Sequence, residues 1–171
     1  MARPTKIISG GQTGVDRGAL DAAMDLGIDH GGWCPPERYA EDGRIPEHYD
    51  VEEVSTDHFI DHGYDYGDYR EHYRLRTMLN VKTADATLIL TQGPGKLTPG
   101  TRLTLTFVRG AGKPCLMLPF ADEDAPWRIK TWVEDQQITC LNVAGPRESK
   151  ISGIQEKTRS LLMKAFSGSG G

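Results

Sequence analysis

Residues 7–23, IISGGQTGVDRGALDAA, join a short apolar run to a glycine-rich turn and then to a helical pattern. The two isoleucines favour a buried strand, and the alanines and Leu20 that follow the turn favour a helix. Gly27 then stands where a helix C-cap belongs. The stretch therefore predicts a strand, a tight turn and a helix, which is the repeating unit of an α/β sheet.

The turn at residues 10–17 has the composition of an anion-binding loop. Its three glycines allow a ligand to approach the backbone, and the helix behind them offers unpaired N–H groups and a positive dipole end. Thr13 and Asp16 have the spacing of a helix-capping pair. Neither a Walker loop nor the strict Gly-x-Gly-x-x-Gly spacing is present, which disfavours ordinary ATP or NAD binding. The sequence predicts a site for phosphate or another oxyanion, and the alternative is a plain strand-to-helix turn.

Composition and charge limit the class of protein. The 171 residues are 37% hydrophobic, which fits one domain over residues 1–166 followed by a flexible tail over residues 167–171. A net charge of -4 argues against nucleic acid or a membrane surface as the main partner. No apolar run is long enough to span a bilayer, and residues 1–11 lack a secretory signal, so we expect a cytoplasmic protein.

Strand-like and helical patterns alternate along the chain. Strand-like runs occur at residues 6–9, 30–33, 86–91, 114–118 and 138–143, and helical patterns at residues 15–26, 69–82, 102–109, 126–135 and 149–166. This alternation predicts a Rossmann-like, doubly wound α/β fold with a mainly parallel sheet and helices on both faces. Residues 35–69 are irregular, and we expect this long excursion to cover a ligand pocket.

Ligands of such a sheet lie beyond the carboxyl ends of its strands. Four segments follow strands directly, namely residues 10–17, 32–35, 92–101 and 144–149. In the third of these, Gly100 and Thr101 precede another helix, so their amides predict a second anion site. A small ligand with two polar ends would fit between the two anion sites.

Six sequence segments, the first of them within the stretch quoted above, occur in a characteristic order over residues 6–165. They are SGGQTGVDRGALDAA, GGWCPPERYAEDGRIP, YRLRTMLNV, DATLIL, PGTRLTL and LNVAGPRES. In these segments the chain resembles the molybdenum cofactor carrier family, a circularly permuted YpsA-type branch of the SLOG superfamily. The resemblance implies binding, storage or carriage of the molybdenum cofactor, or of a related phosphorylated pterin or nucleotide, without turnover. It also implies a homodimer or homotetramer that passes its ligand to molybdoenzymes or insertion factors.

Pattern and resemblance together define a set of predicted ligand-binding residues. The set is Gly10, Gly11, Gln12, Thr13, Gly14, Asp16, Arg17, Trp33, Arg76, Gly100, Thr101, Glu148 and Ser149. Several of them have a structural alternative: Trp33 either stacks on a pterin or purine ring or fills the sheet edge. Ser149 is either a ligand contact or the cap of the last helix. Asn80 and Asp85 are expected at the opposite edge of the sheet, in structural roles.

An enzymatic branch of the same superfamily, the "lonely guy" phosphoribohydrolases, offers an alternative function. Its arginine and strand aspartate match Arg76 and Asp85, but Thr104 stands where the hydrolase keeps its carboxylate. A threonine hydroxyl cannot supply the negative charge that glycosidic cleavage needs, so we predict no catalytic residue. A phosphoribohydrolase or sensor of nucleoside monophosphates remains the alternative, with Asp16, Glu41 or Asp42 as the substitute acid.

The remaining metal-binding residue types do not form a predicted metal site. His58 and His62 have the i,i+4 spacing of a metal pair, but no third ligand has a characteristic spacing. The three cysteines are far apart and show no Cys-x-x-Cys spacing, which excludes a zinc knuckle. Cys34 could offer sulfur to molybdenum, but a lone cysteine is more often a packing residue.

Overall fold

The computed structural model describes residues 3–95 and 97–168. Over these residues the chain forms six α-helices and nine short strands. The helices are α1 (Val15–Leu26), α2 (Thr56–His62), α3 (Tyr69–Thr83), α4 (Pro99–Ala111), α5 (Ala125–Asp135) and α6 (Ile154–Phe166). The strands are β1 (Lys6–Ile8), β2 (Asp29–Gly31), β3 (Trp33–Cys34), β4 (Tyr39–Ala40), β5 (Gly43–Arg44), β6 (Glu52–Glu53), β7 (Ala86–Thr91), β8 (Cys115–Pro119) and β9 (Cys140–Ala144).

Five strands form a central parallel sheet in the order β2-β1-β9-β7-β8. Its central register places Ile7 beside both His30 and Leu141, and Leu88 beside Val143. All five strands run the same way, so their carboxyl ends meet at one edge. The predicted Rossmann-like α/β fold in a single domain is confirmed.

Alternation along β7 divides the core between two faces of the sheet. Ala86, Leu88 and Leu90 are buried in the main apolar cluster, together with residues of α1, α5 and α6. Successive side chains of a strand point to opposite faces, so Thr87 and Ile89 belong to the other face, where α3 and α4 pack on each other.

Residues 32–55, which include the first part of the predicted irregular segment 35–69, form a small layer beside α1. Within it β3 pairs with β6 and β4 pairs with β5. Arg38, at a positive φ of 57°, is buried and organises the segment. Its guanidinium donates to four backbone carbonyls, those of Ile45, Pro46, Tyr49 and Val51. The layer buries its own apolar cluster against Leu20.

Most predicted elements agree with the structure; the start of α5 differs by one residue, and those of α4 and α6 differ by more. The bounds of α1 and β7 are confirmed residue for residue. Helix α4 begins at Pro99 instead of Arg102, since Thr98 caps it, and α6 begins only at Ile154 because residues 145–153 form turns. Of the predicted tail, residues 169–171 lie outside the described residues. Within the described part of the chain, no helix is both long and apolar enough to cross a bilayer.

Candidate functional site

A cavity of 330 Å³ opens where β9 ends, on the side of the sheet that α3 and α4 cover. Four segments line it: the loop after β1, helix α3, the start of α4 and the segment after β9. The lining residues that carry polar side chains are Gln12, Asp16, Tyr73, Arg76, Thr77, Asn80, Thr98, Thr101, Thr104, Asn142, Arg147 and Lys150. The cavity lies at the sheet edge where ligands of parallel sheets bind, as the sequence predicts.

Helix α3 contributes a polar stripe to the cavity. Tyr73, Arg76, Thr77 and Asn80 all line it. Their spacing places them on one face of the helix, because residues three, four and seven apart share a face. The predicted position of Asn80 at the opposite edge of the sheet is therefore wrong, since it lies at the cavity. Its predicted structural role agrees with the two hydrogen bonds between its side chain and the backbone of Trp33.

Arg76 is the cation most enclosed by the cavity wall, with a side chain 13% exposed. Its Nη1 lies 3.4 Å from Asp16 Oδ2, and its guanidinium lies 5.5 Å from the ring centre of Tyr73. Nε is buried and has no hydrogen-bond partner among the described residues. A Cβ at Gly10 would lie 1.5 Å from Nη1, so glycine is required there for Arg76 to reach the loop. The arrangement leaves an N–H donor for an anionic ligand.

Asp16 is the carboxyl group of the cavity wall. Its Oδ2 accepts from the Gln12 backbone N–H at 3.2 Å as well as from Arg76. Burial raises the pKa of Asp16 above its ordinary value, and the opposing effects of Arg76 and of the Gln12 hydrogen bond only partly offset it. The cavity thus contains a buried cation and a carboxyl group in contact.

The start of α4 supplies the second polar end of the cavity. Thr98 caps the helix, since its Oγ1 accepts from Thr101 N–H at 3.2 Å. Gly100 lies in the first turn, where a helical N–H has no intrahelical acceptor, and it lines the cavity. The positive end of the α4 dipole also points to this place. Both predicted residues of the second anion site, Gly100 and Thr101, thus lie at the cavity.

The glycine loop itself does not have the open amides that its sequence suggests. Four positions around the turn use their N–H groups inside the protein. Gly11 N–H donates to Ser9 Oγ, Gln12 N–H to Asp16 Oδ2, Thr13 N–H to Gln12 Oε1 and Val15 N–H to the Pro146 carbonyl. The predicted Thr13 cap is also wrong, because α1 has Gly14 at its N-cap and no side-chain cap.

Gly11 and Gly14 serve packing at their positions in the loop. A Cβ at Gly14 would lie 2.5 Å from the Pro146 carbonyl oxygen, and one at Gly11 would lie 3.0 Å from Ile45. Both residues have a positive φ, which is 82° at Gly14 and 76° at Gly11. Neither glycine lines the cavity. The atoms that pack closely against them therefore belong to the protein.

Thr13 and Ser149 hold the tip of the β4–β5 hairpin. Glu41 at this tip accepts hydrogen bonds from Thr13 Oγ1, from Ser149 N–H at 3.1 Å and from Ser149 Oγ at 2.5 Å. Burial alone would raise the pKa of Glu41, but the hydrogen bonds from Ser149 and Thr13 together lower it. The predicted Ser149 cap is wrong, since α6 has Gly153 at its N-cap. Glu148 accepts from the N–H groups of Gly153 and Gln155.

Two further predicted residues lie away from the cavity. Arg17 makes a two-point ion pair with Asp42, at 2.6 and 2.8 Å, and donates to the Gly11 carbonyl. The Trp33 indole donates to Thr83 Oγ1 at 3.1 Å. Neither lines the cavity. No residue of the 35–69 excursion lines it either, so the expected cover of the pocket by this segment is wrong over the described residues.

The surroundings of Cys34 and Asp85 agree with the structural roles that sequence analysis favours for them. Cys34 is fully buried, and this burial raises the pKa of its thiol to about 11, which favours a packing role. Asp85 accepts from Thr139 N–H at 2.9 Å and Cys140 N–H at 2.8 Å at the start of β7, which confirms its predicted structural role.

Sequence analysis missed several residues of the cavity wall, among them Tyr73, Thr77, Arg147 and Lys150. The helical spacing from Arg76 was the available indication for Tyr73 and Thr77. Both cations lie between β9 and α6. Arg147 belongs to residues 144–149, which are predicted to follow a strand at the ligand edge, whereas Lys150 falls within the predicted helix 149–166. Together these groups can bind an anion at one or both ends and contact an aromatic or polar body between them.

Comparison with known proteins places this arrangement in context. Residues 7–166 match the model of the circularly permutated YpsA SLOG family. The fold is similar to a crystal structure from Syntrophus aciditrophicus SB of a "Putative molybdenum carrier protein", with a TM-score of 0.82 and 41% sequence identity over 96% of each chain. A comparison with curated proteins gives no match.

Proposed function

Because this chain belongs to the circularly permuted YpsA family of the SLOG superfamily, we propose that it binds and carries or stores the molybdenum cofactor, or a related phosphorylated pterin or nucleotide. The ligand occupies the cavity between α3 and α4 and is held without chemical turnover. The observation that carries this proposal is Arg76, whose buried Nε has no partner among the described residues and whose side chain lines the cavity.

The lining residues fit the anionic part of such a ligand. A phosphate needs several donors around its oxygens, and charge-assisted donors bind it most strongly. Arg76 supplies a guanidinium, Gly100 supplies a first-turn N–H, and Arg147 and Lys150 add positive charge at the mouth. The dipole of α4 acts in the same direction.

The other residues of the cavity wall suit a flat ring system, but less specifically than the cations suit a phosphate. Tyr73 offers an aromatic ring, and Val143, Ala144 and Pro146 offer apolar surface. A volume of 330 Å³ lies at the lower end of the range of about 300–1,000 Å³ that is typical of small-molecule sites. These features support a compact phosphorylated ligand, and they do not distinguish a pterin from a purine.

Support for molybdenum comes from the similar crystal structure, which is that of a "Putative molybdenum carrier protein". A carrier must bind its cargo tightly, protect it from solvent and release it to another protein. Bound ligand should stabilise the folded state, since it binds the native chain and not the unfolded one. The predicted homodimer or homotetramer, and delivery to molybdoenzymes or insertion factors, are part of this proposal.

The proposal is tested by retention of the cofactor. The purified protein is incubated anaerobically with freshly released molybdenum cofactor, desalted and oxidised, and the pterin is measured by its fluorescence. Stoichiometric fluorescence in the protein fraction is expected. If the protein retains no pterin but retains AMP or GMP under the same conditions, the ligand is a nucleotide and the carrier function is wrong.

One observation favours the enzymatic alternative. Asp16 is a carboxyl group in the cavity wall, and burial shifts its pKa upward, in the direction that favours a general acid. Thr104 cannot take this role, since it is uncharged and its Oγ1 donates to the Gly100 carbonyl at 3.1 Å. Glu41 and Asp42, the other two substitute acids, are bound to Thr13, Ser149 and Arg17 away from the cavity.

A phosphoribohydrolase would release free base from a nucleoside monophosphate. Incubation of the protein with AMP, GMP, CMP and IMP, followed by chromatography of the products, tests this directly. Release of base that is lost in Asp16→Asn would establish the enzyme. No release from any of the four nucleotides, together with retention of pterin, leaves the carrier.

A further inference from the structure

Arg76 and Asp16 put opposite charges side by side in the wall of the cavity. Their side chains are 13% and 10% exposed, and Nη1 and Oδ2 are 3.4 Å apart. A site built only to hold an anion would not need a carboxylate beside its main cation, because the carboxylate repels the anion. The presence of Asp16 therefore requires an explanation from the ligand.

The surroundings of Asp16 do not neutralise it completely. Arg17, on its own helix, is paired with Asp42. Tyr73 and Arg76 face the cavity from α3, Arg147 and Lys150 face it from the segment after β9, and the lining residues of α4 present no titratable group. Both hydrogen bonds to the Asp16 carboxylate reach Oδ2, and no donor among the described residues bonds Oδ1. Oδ1 is therefore available to a ligand.

An ionised carboxylate accepts hydrogen bonds and donates none. A ligand oxygen that binds Arg76 comes close to Asp16, and two facing acceptors without a proton between them are destabilising. An O–H or N–H on the ligand removes this conflict, because it donates to the carboxylate while the charged oxygens bind the guanidinium. The cavity thus discriminates between anions by whether they carry a donor.

We propose that Asp16 determines the specificity of this cavity: it admits a phosphate that carries a hydrogen-bond donor, and it excludes fully ionised oxyanions such as sulfate. The donor is either the proton of a hydrogen phosphate or an adjacent hydroxyl or amino group of a phosphate monoester. The inference rests on the proposed function only in placing the ligand in the same cavity. It narrows the ligand to a phosphate of this class and leaves its ring system open.

The protonation of Asp16 gives the proposal a pH dependence. Burial favours the neutral carboxyl group, which is a donor, so sulfate should bind better when Asp16 takes up a proton. No histidine is among the cavity's lining residues in the described chain, and sulfate itself does not titrate between neutral and mildly acidic pH. The affinity for sulfate should therefore rise as the pH falls through the folded-state pKa of Asp16, which lies above the ordinary aspartate value.

The test compares inorganic phosphate with sulfate by isothermal titration calorimetry at neutral pH and fixed ionic strength. The wild-type protein should bind phosphate about tenfold more tightly than sulfate. Asp16→Asn keeps an acceptor for Gln12 N–H and gains a donor, so the two anions should bind with nearly equal affinity. The matched control is Asp122→Asn, which breaks a surface ion pair with Arg128 away from the cavity and should keep the wild-type discrimination.

The outcomes separate this inference from the proposed function. Any of three results would overturn the role of Asp16. Asp16→Asn could still prefer phosphate over sulfate as the wild-type protein does, the wild-type protein could bind both anions equally, or it could bind neither. If Asp16→Asn fails to fold, the pH dependence of the wild-type protein serves as the test. A sulfate affinity that does not change with pH would then overturn the role of Asp16. Pterin retention is measured separately, so loss of pterin binding with intact anion discrimination contradicts only the carrier function.

Discussion

The guanidinium of Arg76 and the carboxylate of Asp16 meet at the wall of the cavity, with Nη1 and Oδ2 3.4 Å apart. The contact joins the middle of α3 to the start of α1, and the two residues are 60 positions apart in sequence. Removing one charge from a buried pair costs more than the pair contributes, because the other charge is left without a partner. Substitutions of Arg76 and Asp16 therefore use glutamine and asparagine, which keep a polar side chain.

Arg76→Gln should reduce ligand retention at least about tenfold, since it removes the charge-assisted donors of the cavity. Arg74→Gln is the matched control, because Arg74 lies on the same helix with a half-exposed side chain and does not line the cavity. Pterin retention after desalting is the measurement. Equal retention by both variants would show that Arg76 does not bind the ligand.

Gly100→Leu should block the cavity without damaging the fold. A Cβ at Gly100 meets no atom within 4 Å, and Gly100 lines the cavity at the start of α4. Gly110, on the same helix, also has open space around it and does not line the cavity. Gly110→Leu should retain the ligand, and both variants should melt near the wild-type temperature. Full retention by Gly100→Leu would place the ligand elsewhere.

Gly14→Ala should destabilise the fold by at least about 3 kcal/mol, because its Cβ meets backbone atoms and its φ is positive. The nearest atom is the Pro146 carbonyl oxygen at 2.5 Å. Gly27→Ala tests the backbone strain alone, since Gly27 has a φ of 68° and no atom within 4 Å of its Cβ. It should cost only about 1 kcal/mol. Urea denaturation measures both, and an equal cost would show that the contact with Pro146 is unimportant.

Glu41→Gln should weaken the attachment of the β4–β5 hairpin in a pH-dependent way. The folded-state pKa of Glu41 is lowered, so the carboxylate contributes stability above its unfolded pKa, about 4.3, and loses it as the pH falls through the lower folded pKa. At neutral pH the variant should be less stable by about 1–2 kcal/mol. This difference should disappear in acid. A difference that stays constant from neutral to strongly acidic pH would exclude the ionised Glu41 as its cause.

Local pattern predicted the parts of the fold that depend on local physics. The apolar spacing of Val15–Leu26 and the apolar, β-branched run of Ala86–Thr91 gave both elements their observed bounds. Gly27 adopts the left-handed C-cap conformation that its position predicts. The start of α4 was placed three residues late, since the capping role of Thr98 was overlooked.

The glycine loop could not be understood from local sequence, because its partners are distant along the chain. Thr13 bonds Glu41, and Val15 N–H bonds the carbonyl of Pro146. Arg17 is a residue type that often binds phosphate, but here it forms an ion pair with Asp42 of the hairpin. Only the fold reveals that protein groups satisfy this loop while Arg76 and Gly100 line the cavity.

A crystal structure of the protein loaded with the molybdenum cofactor tests the central claim most directly. The proposed function predicts the cofactor in the cavity between α3 and α4, with its anionic end within hydrogen-bonding distance of Arg76 and of Gly100 N–H. A cofactor bound against the backbone of Gly11 and Gly14, or elsewhere outside the cavity, would contradict this account. So would an empty cavity in crystals whose dissolved protein contains stoichiometric pterin.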